Sequence, residues 1–178
     1  CLVGSEMCIR DSLTDMSGIK KIWLKGSGAS EVIDFLVTRD CNKIKPGVAT
    51  YAALLNENGY VIDDAIVFRL SPLEFEKFDA SWLICFGAGF GVDYLTKSLN
   101  GTEVIARADD DTACLMLQGP HAVTVMKRIV RGPLPINLER FEHGLFSILD
   151  SDVMIARTSY SGEDGFEIFV KSQHAIHI

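Results

Sequence analysis

Two apolar-rich runs expected to be strands, 48–55 and 61–70, flank the segment Asn56-Glu57-Asn58-Gly59-Tyr60. An Asn-Gly pair between such runs is the strongest short-range hairpin signal, because both residues tolerate positive φ at little cost. The segment therefore commits the chain to at least one pair of adjacent antiparallel strands. It also places Asp63 and Asp64 side by side on the return strand. Successive strand residues point to opposite faces, so only one of the two carboxylates enters a given pocket. Asp is disfavoured in strands. The pair reads equally well as a general acid/base group and as solvent-facing strand ends.

A second hairpin is expected over 157–169, RTSYSGEDGFEIF. Glu163-Asp164-Gly165 is ordinary turn chemistry. Glu167 differs, since it alternates with Phe166, Ile168 and Phe169 inside the following strand. It is either an outward-facing charge or a carboxylate lining a cavity.

The remaining chain alternates strand and helix. Residues 19–25 read as a strand, and Ala29, Val32, Ile33 and Leu36 follow the i, i+3, i+4, i+7 rule of an amphipathic helix, with Ser27 as its cap. Residues 82–86 form an apolar strand, and Val92, Leu95 and Leu99 fit a helix stopping near Asn100-Gly101. Strands follow at 103–108 and 113–117. Gly119-Pro120 then opens a helix with proline at its first position, its inner face made by Ala122, Val125, Met126 and Ile129. Three more strands are expected at 145–149, 153–159 and 166–171. Hairpins mixed with helices imply an α+β fold of mostly antiparallel sheets with packed helices. The order strand–helix–hairpin occurs early and again late, which suggests an internal duplication.

Composition narrows the function. With 178 residues, 48% hydrophobic, the chain is long enough for a real core. A net charge of −7 with scattered Lys and Arg argues against a nucleic-acid surface. No apolar run approaches the ~20 residues needed to span a bilayer. Five cysteines without C-x-x-C spacing, two of them in the apolar runs WLICF and ACLML, read as buried thiols of a reduced, cytoplasmic protein. The four histidines lack metal-ligand spacing apart from His174 and His177, so no metal site is expected. Gly87–Gly91, GAGFG, sits between a strand and a helix but misses the G-x-G-x-x-G spacing, and reads as a structural turn.

The ends carry their own signals. CLVGSEMCIRDS lacks the features of a signal peptide and is similar to translated sequencing-adapter sequence, so residues 1–12 are expected to be non-native. At the other end HAIHI stops as a helix begins after Ser172 as N-cap. Residues 13–178 are thus expected to be an incomplete domain, truncated at both ends.

Three segments, GVATYAALLNENGYVIDDAIVFRL, CLMLQGPHA and ARTSYSGEDGFEIFV, resemble the glycine-cleavage T-protein (aminomethyltransferase) family. Asp15-Met16-Ser17 and the turn at 42–47 are similar to further family segments, so the likeness covers residues 13–173. The resemblance implies a tetrahydrofolate-dependent one-carbon transferase whose C-terminal barrel domain lies outside this sequence. It implies that Glu167 reads the pterin ring, that Tyr160 and Tyr51 line the same pocket, and that Asp64 is the catalytic aspartate, with Asp63 as its folate-side neighbour. The implied partners are a small one-carbon donor and a lipoyl carrier protein.

The sequence departs from the family pattern at Tyr60, at Gly18-Ile19 and at 86–89. Those departures keep other folate-linked donors open, namely methyl sulfonium or aryl ether compounds, or sarcosine and dimethylglycine oxidase chemistry. A non-enzymatic folate-binding factor of the iron–sulfur maintenance type is the third reading. Retention of Asp64 favours the enzymes.

Overall fold

A computed structural model describes residues 11–178. They divide into two compact units, residues 19–110 and residues 11–18 with 111–178. The chain opens with β1 (Ser12–Asp15), which belongs to the second of these units.

The unit 19–110 runs β2 (Lys20–Lys25), α1 (Ala29–Leu36), a 3-10 turn (Cys41–Lys43), β3 (Val48–Leu55), β4 (Val61–Arg69), α2 (Pro72–Phe78), β5 (Trp82–Phe86), α3 (Gly91–Ser98) and β6 (Ile105–Ala108). Its sheet has the order β3-β4-β5-β2-β6, antiparallel throughout. One sheet face, with Leu54, Val67, Ile84 and Phe86, packs with Ile33, Leu36 and Leu95 of the helices. Burial of that continuous apolar set is the main stabilising term here.

Local rules explain most element ends. Helix α1 buries the four residues that its periodicity picks out, but its N-cap is Gly28 in the left-handed region, with no side-chain cap; Ser27 does not serve. The hairpin forms where expected, yet its turn is not the two-residue type. Gly59 alone takes positive φ, at 79°, and the Asn56 carboxamide oxygen accepts from the N–H groups of Asn58 and Tyr60 at 3.0 Å each. Helix α2 was not legible from periodicity, because Leu73 and Phe75 are exposed and no apolar stripe forms. Its start is nonetheless a full capping box, Ser71 and Glu74, with proline in the first turn.

The other unit continues from β1 with β7 (Thr112–Gln118), α4 (Ala122–Ile129), β8 (Val130–Arg131), a 3-10 turn (Pro135–Asn137), β9 (His143–Ile148), β10 (Ser151–Ala156), β11 (Gly165–Lys171) and α5 (Ser172–Ala175). Its sheet order is β1-β7-β11-β10-β9-β8, again antiparallel. Phe166, Ile168, Val153 and Ile155 pack against Ala122 and Met126 of α4. Pro120 lies before α4 rather than in it, His121 being the N-cap, and Ser172 is the first helical residue rather than the cap. Asp11 accepts from the His121 N–H at 2.7 Å, and Ser12 pairs with Gln118. Residues 1–10 of the segment read as non-native lie outside the described residues.

The suspected repetition has a topological counterpart. Each unit starts on a strand (β2 or β7), crosses by a helix (α1 or α4) and makes a hairpin (β3–β4 or β9–β10). Each then returns on a strand (β5 or β11) placed between the hairpin and the starting strand. The order β3-β4-β5-β2-β6 matches β9-β10-β11-β7-β1. The α+β, mostly antiparallel reading therefore holds. No helix among the described residues is long and apolar enough to cross a membrane.

Candidate functional site

In the unit 19–110, the two aspartates of β4 do different things. Asp63 is buried, on the core face. Its Oδ1 accepts from the N–H groups of Asp64 and Ala88 at 2.9 Å each, and its Oδ2 accepts from the Gly91 N–H at 2.8 Å. Burial alone would raise its pKa, but the amides of Ala88, Gly91, Asp64 and Gly89 prevail and hold it below the usual carboxylate range. Asp63 thus ties the 87–91 turn, between β5 and α3, to the start of β4.

Asp64 points to the opposite face and is half-buried. The Tyr51 hydroxyl donates to its Oδ2 at 2.7 Å. The register allows this, since Asp64 faces Ala53 across the ladder and Tyr51 lies two residues back on the same face. The hydrogen bond to Asp64, together with partial burial, raises the Tyr51 pKa and keeps its proton on the phenol. Gly87 presses on the same carboxylate, and any Cβ there would collide with Asp64 Oδ1. Its own N–H donates to the Asp64 carbonyl oxygen at 2.8 Å. The 87–91 turn therefore reaches both aspartates, hydrogen-bonding the Asp63 carboxylate and pressing on that of Asp64.

In the other unit Glu167 is 5% exposed at the middle of β11. Its one recorded partner among the described residues is Thr158, whose hydroxyl donates to Oε2 at 2.7 Å. Burial pushes the carboxyl up to about 7, against the smaller lowering effect of Thr158. Of the two readings of this residue, the outward-facing charge is excluded.

The neighbouring loop is held by Arg157. Its Nε and Nη2 donate to the two Asp164 oxygens at 3.0 and 2.5 Å, and its Nη1 donates to the carbonyls of Ile136 and Leu138 at 2.8 Å each. Asp164 is thus an anchor as well as a turn residue, and the ion pair holds its carboxyl below the ordinary value. The anchored loop walls a cavity of about 530 Å³ lined by Leu138, Arg140, Arg157, Thr158, Ser159 and Glu163 among others. Tyr160 follows on the same loop, about half exposed.

Sequence reasoning passed over Thr158, Ser159 and Gln118. Gln118 is 1% exposed, and its Oε1 accepts from the Ser159 hydroxyl at 3.1 Å. Only the β7–β11 register, with Gly165 opposite Gln118 and Glu167 opposite Met116, reveals that Gln118 shares a sheet face with Glu167.

These features define an α+β domain of two antiparallel sheets that carries buried and half-buried carboxylates. The GCVT N-terminal domain model matches residues 9–178, and the chain belongs to that family. It is 41% identical over 166 residues to the heme-dependent oxidative N-demethylase gamma subunit of Ectopseudomonas mendocina (strain ymp), covering 93% of this chain and 42% of that protein. It is 31% identical over 180 residues to an aminomethyltransferase of Thermotoga petrophila, covering 95% and 46% respectively. The crystal structure of glycine cleavage system aminomethyltransferase T from Bartonella henselae superimposes with a TM-score of 0.79 at 28% identity, over 98% of this chain and 45% of that one. The chain spans about half the length of the relatives it matches.

Proposed function

We propose that this chain is the folate-handling part of a tetrahydrofolate-dependent one-carbon transferase, in a cytoplasmic setting. The observation that carries the reading is Glu167. A carboxyl kept inside a sheet with one hydroxyl as its recorded partner raises the cost of the fold, and such groups are retained where a ligand completes them. A pterin ring offers adjacent N–H and exocyclic amine donors, which a carboxylate accepts as a pair. The residues present therefore fit the group. When bound, tetrahydrofolate supplies ring nitrogens that take up the one-carbon unit.

The chain's own residues divide the remaining work. Glu167 orients the ring by accepting its N–H groups. Tyr160 contributes wall surface in the unit of Glu167, and Tyr51 contributes it in the unit of Asp64. Asp64, held on one oxygen by the Tyr51 phenol, keeps a second oxygen for a proton released or taken up as the carbon–nitrogen bond of the donor changes. Asp63 supports the folate side indirectly, by fixing the 87–91 turn against Asp64.

Two donors suit this machinery. An aminomethyl group on a lipoyl carrier protein is one. A methylamine oxidised by a companion subunit is the other. The greater identity to a demethylase gamma subunit than to the aminomethyltransferase, together with a GAGFG turn that offers no polar side chain, favours the second.

Calorimetric titration of the chain with tetrahydrofolate tests the proposal. Wild type should bind, Asp64→Asn should bind about equally well, and Glu167→Gln should lose roughly 30-fold in affinity, the scale of a charge-assisted pair. A folded wild type that gives no heat of binding overturns it.

A further inference from the structure

The face of the second sheet that carries Glu167 holds another buried polar group whose bonding is incomplete. Gln118 Nε2 is fully buried and has no hydrogen-bond partner among the described residues. The orientation of the carboxamide follows from its surroundings. Ser159 Oγ already accepts from the Ser161 N–H at 3.3 Å and shares a bond with the Ser161 hydroxyl at 3.1 Å, so it is placed to donate to Gln118 Oε1. That assignment leaves the amide N–H groups as the open end. A buried donor without an acceptor is costly, and native structures retain one chiefly where a ligand or water meets it.

Position makes the ligand the better explanation. Gln118 lies opposite Gly165, and Glu167 is two residues further along β11, so the two side chains are diagonal neighbours on one face. Gly165 brings the group together. A Cβ there would stand 2.8 Å from Gln118 Cβ, 3.0 Å from Ser159 Cβ and 3.0 Å from the Thr158 carbonyl oxygen, so only glycine admits this approach. The patch thus holds an acceptor, the Glu167 carboxyl, and a donor, the Gln118 amide, side by side. That pairing complements a heterocycle edge bearing an N–H group next to a carbonyl oxygen, as in a ring lactam.

We propose that Gln118 is a specificity-determining ligand residue, donating from Nε2 to the ring carbonyl oxygen of the heterocycle whose N–H groups Glu167 accepts. This inference rests on the folate reading above and deepens it, by stating which ring edge is read and by what. It also predicts a selectivity. An analogue with an amine in place of the ring carbonyl sets donor against donor at Gln118.

The test is the ratio of affinities of the chain for tetrahydrofolate and for its 2,4-diamino analogue, measured by calorimetry on wild type, Gln118→Met and Gln118→Glu. Gln118→Met removes the donor at similar volume and should shift the ratio about tenfold towards the diamino compound. Gln118→Glu turns the donor into an acceptor and should shift it further in the same direction. It also keeps the oxygen that Ser159 bonds, so it carries the test if the Met variant melts early. A purely structural role for Gln118 weakens both ligands equally, and an unchanged ratio in the folded variants overturns the inference while leaving the folate reading intact. Failure of wild type to bind either compound overturns the folate reading itself.

Discussion

Replacing Glu167 by glutamine should make the ligand-free protein more stable than wild type at neutral and alkaline pH, while weakening the proposed folate binding roughly 30-fold. The carboxyl ionises at about 7 in the folded chain and at an ordinary 4.5 when exposed. Its folded value is raised, so between those limits the folded state holds the extra proton, and stability falls as pH increases. Each pH unit of separation corresponds to about 1.4 kcal/mol, so the full penalty is about 3 kcal/mol above pH 8, with about 2.5 kcal/mol of it arising between pH 5 and pH 8. The glutamine of the variant cannot ionise and can still accept from the Thr158 hydroxyl. Urea unfolding followed by far-UV circular dichroism, at pH 5, 6, 7 and 8, gives the difference between the two proteins, and every other titrating group cancels in it. The variant should gain on wild type steadily from pH 5 upwards. Parallel profiles across that range would refute the reasoning, because they would mean that Glu167 ionises as an exposed carboxyl does.

Two further substitutions probe the supports. Asp63→Asn puts an amide NH₂ where a carboxylate oxygen now meets a backbone N–H, and should cost about 2–3 kcal/mol at pH 7 by urea unfolding. Because the folded pKa of Asp63 is depressed, its contribution is present above about pH 4 and fades as acid protonates the folded carboxyl, so the gap to wild type should close at low pH. Arg157→Lys loses the paired contact to Asp164 and at least one of the carbonyls of Ile136 and Leu138, and should cost about 2–3 kcal/mol. A melting temperature unchanged from wild type would show that the loop holds without the guanidinium.

Much of the fold was legible because it rests on periodicity and punctuation. The Asn-Gly turn between the apolar-rich runs of β3 and β4, the four-residue stripe of α1 and the apolar run of β5 each obey one local rule. Helix α2 escaped since Leu73 and Phe75 face solvent and leave no apolar stripe, so only its capping box announced it. The hairpin turn came out differently in detail, because the Asn56 side chain supplies an acceptor that permits a longer loop than Asn-Gly alone would need. The site was legible only in residue type. Alternation could not say whether Glu167 faced water, since every position of β11 up to Val170 is buried, on both faces of the sheet. Gln118 and Thr158 were silent because their meaning depends on register across β7 and β11 and on a loop folding back over Gly165.

Two of the buried carboxylates, Asp63 and Glu167, show how a structure separates residues of one type that a sequence cannot. Asp63 and Glu167 are each about 5% exposed on a strand of a similar antiparallel sheet. Asp63 is surrounded by backbone N–H groups that prefer its charged form, so its ionisation is pulled down despite its burial, and the charged group stabilises the fold. Glu167 has a single hydroxyl, so its ionisation is pushed up and its burial weighs against the fold. A group that costs stability and has an equally under-bonded amide beside it is poorly explained as scaffolding, because an apolar residue at either position would fill the sheet face more cheaply. One molecule with donors and an acceptor along the same edge would complete both groups, and the ligand proposed above has that edge.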